Sequence, residues 1–388
     1  MKISVLGCGR WGSFIAWYLC NHGHDVYSWG PEDDYSYKVL KETGKNEYVD
    51  LDERIHLTCD LEEAVSHAET IIISISSQGL RGFMKRITAY DVSAKNFVLC
   101  MKGIEVDTGC RLSEVLTQSG ISPERIAVWV GPGHIQAFTA GIPNCMVIDS
   151  ANPVLKKKLA DEFKSDLIRF YYGEDLIGTE LGAAAKNVMG IVAGVLDGCG
   201  YASLKGSLMS RGAREVARLI KAMGGNELSA YGLAHLGDYE ATLFSEFSHN
   251  RMYGEMLVKD EKFGKLAEGV ATAAAMKKLG EKYGVELPLT NAVYEICYSE
   301  SAEPYRVRCD KMLAKMFARD TISEFYSLYI RNRKPTLALL SKGRFSCVIT
   351  LIAYAHVVGV CSAYEFKIVT VRIFLCFFDF VRVVVVGD

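Results

Sequence analysis

The first thirty residues constrain this chain more than any other stretch. An apolar run, Ile3, Val5 and Leu6, feeds directly into Gly7-Cys8-Gly9-Arg10-Trp11-Gly12, and a helix-forming segment follows from Ser13 to His22. Val26 to Trp29 then reads as a second strand. Strand, glycine-rich turn, helix and strand form the context in which a GxGxxG pattern binds a dinucleotide. Gly7 permits the tight turn and Gly9 lets the backbone approach a pyrophosphate. Gly12 lets the helix pack on the strand, so that its N-terminal amides face the phosphates. The complete unit favours a bound dinucleotide over a merely structural glycine turn.

At 388 residues the chain is long enough for two domains with substantial cores. Its 44 basic and 46 acidic side chains nearly cancel, so no global field favours nucleic acid or an anionic membrane. Any bound anion must therefore be held by a local site. Twelve cysteines are scattered without CxxC or paired histidine spacing, which argues against zinc and against a disulfide scaffold. No leader pattern precedes the first strand, and a cytoplasmic location is expected.

From Met1 to Gly178 short apolar runs alternate with helix-length segments: Thr70 to Ser76, Phe97 to Met101, Ile126 to Gly131, Cys145 to Asp149 and Leu167 to Tyr172. That alternation predicts an α/β domain of Rossmann type, a doubly wound parallel sheet with ligands at the carboxyl ends of its strands. After Gly178 the period becomes helical, over Glu180 to Leu196, Leu208 to Met223, Val270 to Tyr283 and Asn291 to Tyr298. Thr179 to Arg333 is thus expected to be an all-helical second domain that binds substrate. The tail, Lys334 to Asp388, is hydrophobic and atypical. Its Phe345 to Tyr364 stretch lacks Asp, Glu, Lys and Arg, which meets the length rule for a membrane span. An appended or read-through segment, or a packed β addition, accounts for it better than membrane contact.

Lys102 follows the strand Phe97 to Met101 and precedes Gly103, a position aimed at the cleft. A solvated surface lysine is the equal alternative. Gly131-Pro132-Gly133-His134 follows another apolar run and offers backbone amides suited to a phosphate or oxyanion, or forms a plain loop. Lys186 is the sharper case, in Leu181-Gly182-Ala183-Ala184-Ala185-Lys186-Asn187-Val188. An ammonium amid small apolar residues on a closely packing helix must find a partner or lose its proton, and desolvation brings it toward neutral-pH proton transfer; the alternative is a lysine snorkelling out of a surface helix. Asn187 beside it is suited to orienting a ligand. Asp238 lies in a glycine-marked turn, with Thr242 four residues on. Ser248-His249-Asn250-Arg251 collects four donors in a row, a composition suited to phosphate. Taken singly, each of these is also a cap or a solvated loop.

In order along the chain, Gly7 to Gly12, Met101 to Glu105, Gly131-Pro132, Gly182 to Val188, Ser210-Arg211-Gly212, Leu236-Gly237-Asp238, Ser248 to Arg251 and Ala267-Glu268-Gly269 resemble the soluble, bacterial-type NAD(P)-dependent glycerol-3-phosphate dehydrogenases. The resemblance runs from Met1 to Arg333. It implies hydride transfer between sn-glycerol 3-phosphate and dihydroxyacetone phosphate, feeding phospholipid synthesis, with no metal. Lys186 would carry the proton of the C2 oxygen. Lys102, Asp238, Asn187 and Thr242 would complete the catalytic set. Gly131, Ser248, His249, Asn250 and Arg251 would join them in binding the phosphorylated three-carbon substrate. Gly7, Gly9, Arg10, Trp11, Gly12, Lys102, Ile135 and Glu268 would contact the dinucleotide, and a homodimer is expected.

Two departures stand out. His249 replaces an arginine usual in the family, so phosphate affinity falls or Arg251 takes over, because imidazole is charged only part of the time near neutral pH. Gly133 and His134 replace bulkier residues. The second strand ends Ser28-Trp29-Gly30-Pro31 and is followed by Glu32, Asp33 and Asp34, acids that would repel a 2′-phosphate and so favour NAD over NADP. The rival readings are another hydroxy-acid or hydroxyacyl dehydrogenase and a dinucleotide sensor without turnover.

Overall fold

The computed structural model describes residues 1–319. The tail, Lys334 to Asp388, with its Phe345 to Tyr364 stretch, lies outside the described residues. Within 1–319 eight strands form one sheet: β1 Lys2–Leu6, β2 Asp25–Trp29, β3 His56–Thr58, β4 Thr70–Ile73, β5 Asn96–Leu99, β6 Ile126–Val130, β7 Asn144–Ser150 and β8 Ile168–Tyr172, in the order β3-β2-β1-β4-β5-β6-β7-β8. Alternate side chains feed opposite cores, as both-face burial demands. Ile3, Val5 and Ile72 enter one core, while Leu6, Ile71 and Ile73 enter the other. The strand order reverses beside β1, which places a crevice at the end of that strand, where the glycine turn begins.

The sheet departs from the expected all-parallel form at one place. β1 to β6 run parallel, but β7 is antiparallel to β6, and β8 runs parallel to β7. The link between β6 and β7 explains the reversal. Its helix, Ile135–Thr139, has five residues and rises only about 7.5 Å. The five-residue strand it follows is about 17 Å long, so the chain re-enters the sheet from the same end.

Beyond Tyr172 the described chain is helical, with Leu176–Gly198, Lys205–Ala222, His249–Val258, Glu268–Tyr283, Pro288–Tyr298 and Tyr305–Phe317. Leu176–Gly198 is the axis of this region and is buried along nearly its whole length. Gly190, Gly194 and Gly198 recur every fourth residue on the face that meets His249–Val258. A Cβ at Gly194 would lie 1.9 Å from the Arg251 carbonyl oxygen, and one at Gly254 would lie 2.2 Å from that of Ile191. The two helices thus touch backbone to backbone, and only glycine fits.

Polar clamps tie the same helix to the sheet domain. Thr179 Oγ1 donates to Asp149 at 2.8 Å, and Asn187 Nδ2 donates to the Lys102 carbonyl at 2.9 Å. Glu180 accepts from Arg111 Nη1 at 2.6 Å and from the Ser113 amide at 2.9 Å. Burial pushes the Glu180 pKa up against the opposing pull of Arg111. Among the described residues no helix is long and apolar enough to cross a membrane.

Glycine substitutions test this packing. Gly194→Val should lower stability by about 3 kcal/mol or more, because the rigid backbone opposite cannot give way. Gly206→Ala, on the exposed start of Lys205–Ala222 with open space at its Cβ, should raise it by roughly 0.5–1 kcal/mol. Urea denaturation followed by circular dichroism reads both, and equal effects would contradict the close helix crossing.

Candidate active site

The glycine turn and the helical region enclose an open cleft of about 560 Å³. One end is built by the turn after β1. A Cβ at Gly7 would strike the Ser74 carbonyl at 2.3 Å, and one at Gly12 would strike the Gly7 carbonyl at 1.6 Å. At Gly9 a Cβ would meet nothing within 4 Å, because that glycine faces the open cleft. The helix Arg10–Asn21 starts at Gly9 with no side-chain cap, so its first amides point at this space. These features fit a pyrophosphate. Trp29, Pro31, Asp34, Ser36, Phe83 and Arg86 line the cleft further on. The Arg86 guanidinium lies 5.5 Å from the centre of the Trp29 ring. Of the three acids after β2, Asp34 alone lines the cleft, and one of its oxygens caps the helix Tyr35–Thr43.

The opposite end gathers the charged groups. Lys102, just beyond β5, donates from Nζ to Asp238 Oδ2 at 2.7 Å and to the Gly131 carbonyl at 2.8 Å. Lys186 Nζ lies 2.8 Å from the same Asp238 oxygen and donates to Thr242 Oγ1 at 2.8 Å. Two ammonium groups thus share one carboxylate oxygen. Asp238 is 1% exposed and Lys186 8% exposed. Asp238 Oδ1 is buried with no hydrogen-bond partner among the described residues, an acceptor that a hydroxyl-bearing ligand would satisfy. Burial lowers the Lys186 pKa to about 8, with Asp238 opposing the shift and Lys102 reinforcing it.

Local structure fixes these groups from behind. His235 Nδ1 lies 2.8 Å from the Gly182 carbonyl, and its Nε2 lies 2.7 Å from the Tyr239 hydroxyl. Nδ1 must therefore donate to the carbonyl, while Nε2 accepts from the tyrosine. Burial lowers the His235 pKa to about 4, so this neutral link persists through the physiological range. Thr242 sits in a π-helical turn, Glu240–Phe244, of the wide kind that recurs at functional sites. Lys205 Nζ holds that turn by donating to the Leu243 carbonyl at 2.9 Å.

Most residues expected from sequence line this cleft: Gly7, Gly9, Arg10, Trp11, Lys102, Ile135, Lys186, Asn187, Asp238, Thr242, Ser248, His249, Asn250 and Glu268. Gly12 packs on Gly7 instead. The Asn250 amide donates to Asn187 Oδ1 at 3.1 Å and accepts from the Gly269 amide at 2.9 Å, so it braces the wall. Ser248 Oγ caps His249–Val258 by accepting from the Arg251 amide. Glu268 Oε1 accepts from the Ser77 amide at 3.4 Å, and burial raises its pKa.

Two expectations are corrected. Gly131 does not line the cleft: its carbonyl receives Lys102, and Gly133 and His134 face the ligand space in its place. Arg251 does not line the cleft: its Nε donates to Asp197 Oδ2 at 2.6 Å. Sequence reasoning missed the His235, Lys205 and Asp197 braces, for which no local pattern gives a signal. It also passed over Trp29, Phe83 and Arg86.

The N-terminal model of the NAD-dependent glycerol-3-phosphate dehydrogenases matches residues 2–155, and the C-terminal model matches residues 175–306. A glycerol-3-phosphate dehydrogenase [NAD(P)+] of Lysinibacillus sphaericus is 33% identical over 332 residues, covering 82% of this chain and 98% of its own length. One from Pelodictyon phaeoclathratiforme is 33% identical over 311 residues, covering 77% of this chain and 93% of its own. A crystal structure of glycerol-3-phosphate dehydrogenase from Coxiella burnetii superposes with a TM-score of 0.75 at 26% identity, covering 82% of this chain and 98% of that one. Fold, cleft and sequence agree, and the chain belongs to the NAD-dependent glycerol-3-phosphate dehydrogenase family.

Proposed function

We propose that this protein interconverts dihydroxyacetone phosphate and sn-glycerol 3-phosphate, with Lys186 carrying the proton at the C2 oxygen. The observation that supports this reading best is the buried Lys102-Asp238-Lys186 cluster facing a glycine-turn cleft. A nicotinamide dinucleotide, once bound, supplies the hydride in reduction and accepts it in oxidation. Gly9, Arg10 and Trp11 hold its phosphates at the first helix, while Trp29 and Phe83 offer flat apolar walls beyond them.

The chain's own part is proton chemistry and orientation. In reduction the Lys186 ammonium donates to the oxygen as negative charge develops there. In oxidation the neutral amine takes that proton back. Burial favours the neutral form, Asp238 opposes it and Lys102 reinforces it, which leaves Lys186 at about 8, poised between acid and base. Thr242 and Asp238 together fix the direction of the ammonium. Ser248, His249 and the first turn of His249–Val258 receive the substrate phosphate, since a helix N-terminus favours an anion.

Turnover of the wild-type chain with dihydroxyacetone phosphate and each reduced nicotinamide tests the reading directly. Lys186→Ala should lose roughly two to four orders of magnitude in turnover while NADH fluorescence titration stays near wild type. Unchanged turnover would remove Lys186 from the mechanism.

The pH profiles carry a sign. Reduction needs the ammonium, so its kcat/KM should fall as pH rises through about 8, the value in the free protein, and that for oxidation should rise over the same interval. Lys102→Met, which removes a neighbouring positive charge, should move the midpoint up. Asp238→Asn, which removes the negative one, should move it down. Shifts of the same sign in both variants would contradict this electrostatic account.

A further inference from the structure

A dinucleotide-binding sheet meets the adenosine ribose near the end of its second strand. An acid there accepts from the 2′-hydroxyl of NAD, and an arginine nearby accommodates the 2′-phosphate of NADP. In this chain β2 ends at Trp29, and no acid follows it directly. Gly30 has no room for a side chain, since a Cβ there would lie 2.3 Å from Cys8 Sγ, and Pro31 has neither a carboxylate nor an amide hydrogen. Of the acids beyond, Asp34 alone lines the cleft. Its Oδ1 accepts from the Ser36 and Tyr37 amides at 2.8 and 3.2 Å, so much of its charge is answered by the N-terminus of the helix Tyr35–Thr43.

The same corner holds a cation from a different element. Arg86, in the last turn of the helix Leu80–Ile87, has its guanidinium over the Trp29 ring at 5.5 Å and over the Phe83 ring at 5.8 Å. The two rings stack on each other at 5.3 Å, and Trp29 is fixed in turn by donating from Nε1 to the Cys59 carbonyl at 3.0 Å. Both rings are buried, whereas Arg86 is exposed and lines the cleft. Among the described residues no carboxylate pairs with it. Contact with the rings restrains the guanidinium without using its N–H donors, which remain for a bidentate grip on phosphate oxygens. No existing ion pair has to be broken first. We propose that Arg86 binds the 2′-phosphate of NADP(H), so that this chain holds the phosphorylated dinucleotide more tightly than NAD(H). The deciding charge then comes from Leu80–Ile87 and not from the acidic segment after β2.

This inference rests on dinucleotide binding in the glycine-turn cleft and is independent of which ketone is reduced. The test is fluorescence titration of the full chain with NADPH and with NADH, together with displacement of bound NADH by 2′,5′-ADP and by 5′-AMP, two fragments that differ only in the 2′-phosphate. Wild type should bind NADPH and 2′,5′-ADP about tenfold more tightly than NADH and 5′-AMP, the worth of a charge-assisted contact at an exposed site. Arg86→Met keeps the apolar stem and should abolish both preferences while NADH binds as in wild type, which also shows that the variant is folded. Arg86→Lys, a charge without the fork, should fall between them. Equal wild-type affinity for NADPH and NADH, or a loss in Arg86→Met that is the same for both, overturns the role of Arg86. Failure of either dinucleotide to bind wild type overturns the cleft assignment and the inference with it.

Discussion

Everything at the centre of this protein depends on one buried carboxylate oxygen, Asp238 Oδ2, lying between two ammonium groups. Lys102 reaches it from the end of a sheet strand, and Lys186 reaches it from the central helix. The two lysines therefore come from the two halves of the described fold, and the acid that joins them comes from a third segment. Removing one partner from a buried pair typically costs about 3–5 kcal/mol, because the other charge stays desolvated. Closing the sheet domain onto the helical region and satisfying Lys186 are in this sense one event. The glycine-to-backbone crossing of Leu176–Gly198 with His249–Val258 brings the turn at Ser248 to the same cleft.

Secondary supports explain why the cluster keeps its shape. A neutral His235 links the Gly182 carbonyl to the Tyr239 hydroxyl, so the turn that carries Asp238 is tied to the helix that carries Lys186. Lys205 joins Asp197 to the Leu243 carbonyl and so steadies the π-helical turn beneath Thr242. Asp197 receives Arg251 as well. These braces touch no part of the cleft chemistry, yet they fix the distances on which proton transfer depends.

The sequence made the glycine turn legible because three glycines in a strand-turn-helix frame have few other uses. Lys186 was legible because a lone ammonium among alanines and glycines has to be answered by a partner. The partner's identity was less so, since Asp238 is ordinary in its own surroundings. The direction of β7 was hidden because apolar runs look alike in parallel and antiparallel strands, and only the short Ile135–Thr139 link decides between them. The fate of Arg251 was hidden for a different reason. Its phosphate-like neighbourhood is local, whereas Asp197 lies 54 residues away in sequence. Local pattern reports which groups are unusual; long-range pairing decides which of them remain available.

The cleft inverts the charge of the chain that forms it. The protein as a whole carries a formal charge of −2, yet Arg10, Arg86, Lys102 and Lys186 outnumber Asp34, Asp238 and Glu268 in one space. Such crowding disfavours each added proton, and it is one reason Lys186 sits near 8 rather than at its ordinary value. A dianionic phosphate entering the cleft offsets part of that repulsion. Proton affinity at the lysine then rises as the ligand that needs the proton arrives. The reduced dinucleotide brings further negative charge to the same field. Binding and acid catalysis are thereby coupled through ordinary electrostatics, without any need for a moving part. On the proposed mechanism the ketone would meet an ammonium rather than an amine, because its own phosphate would help to keep the proton there.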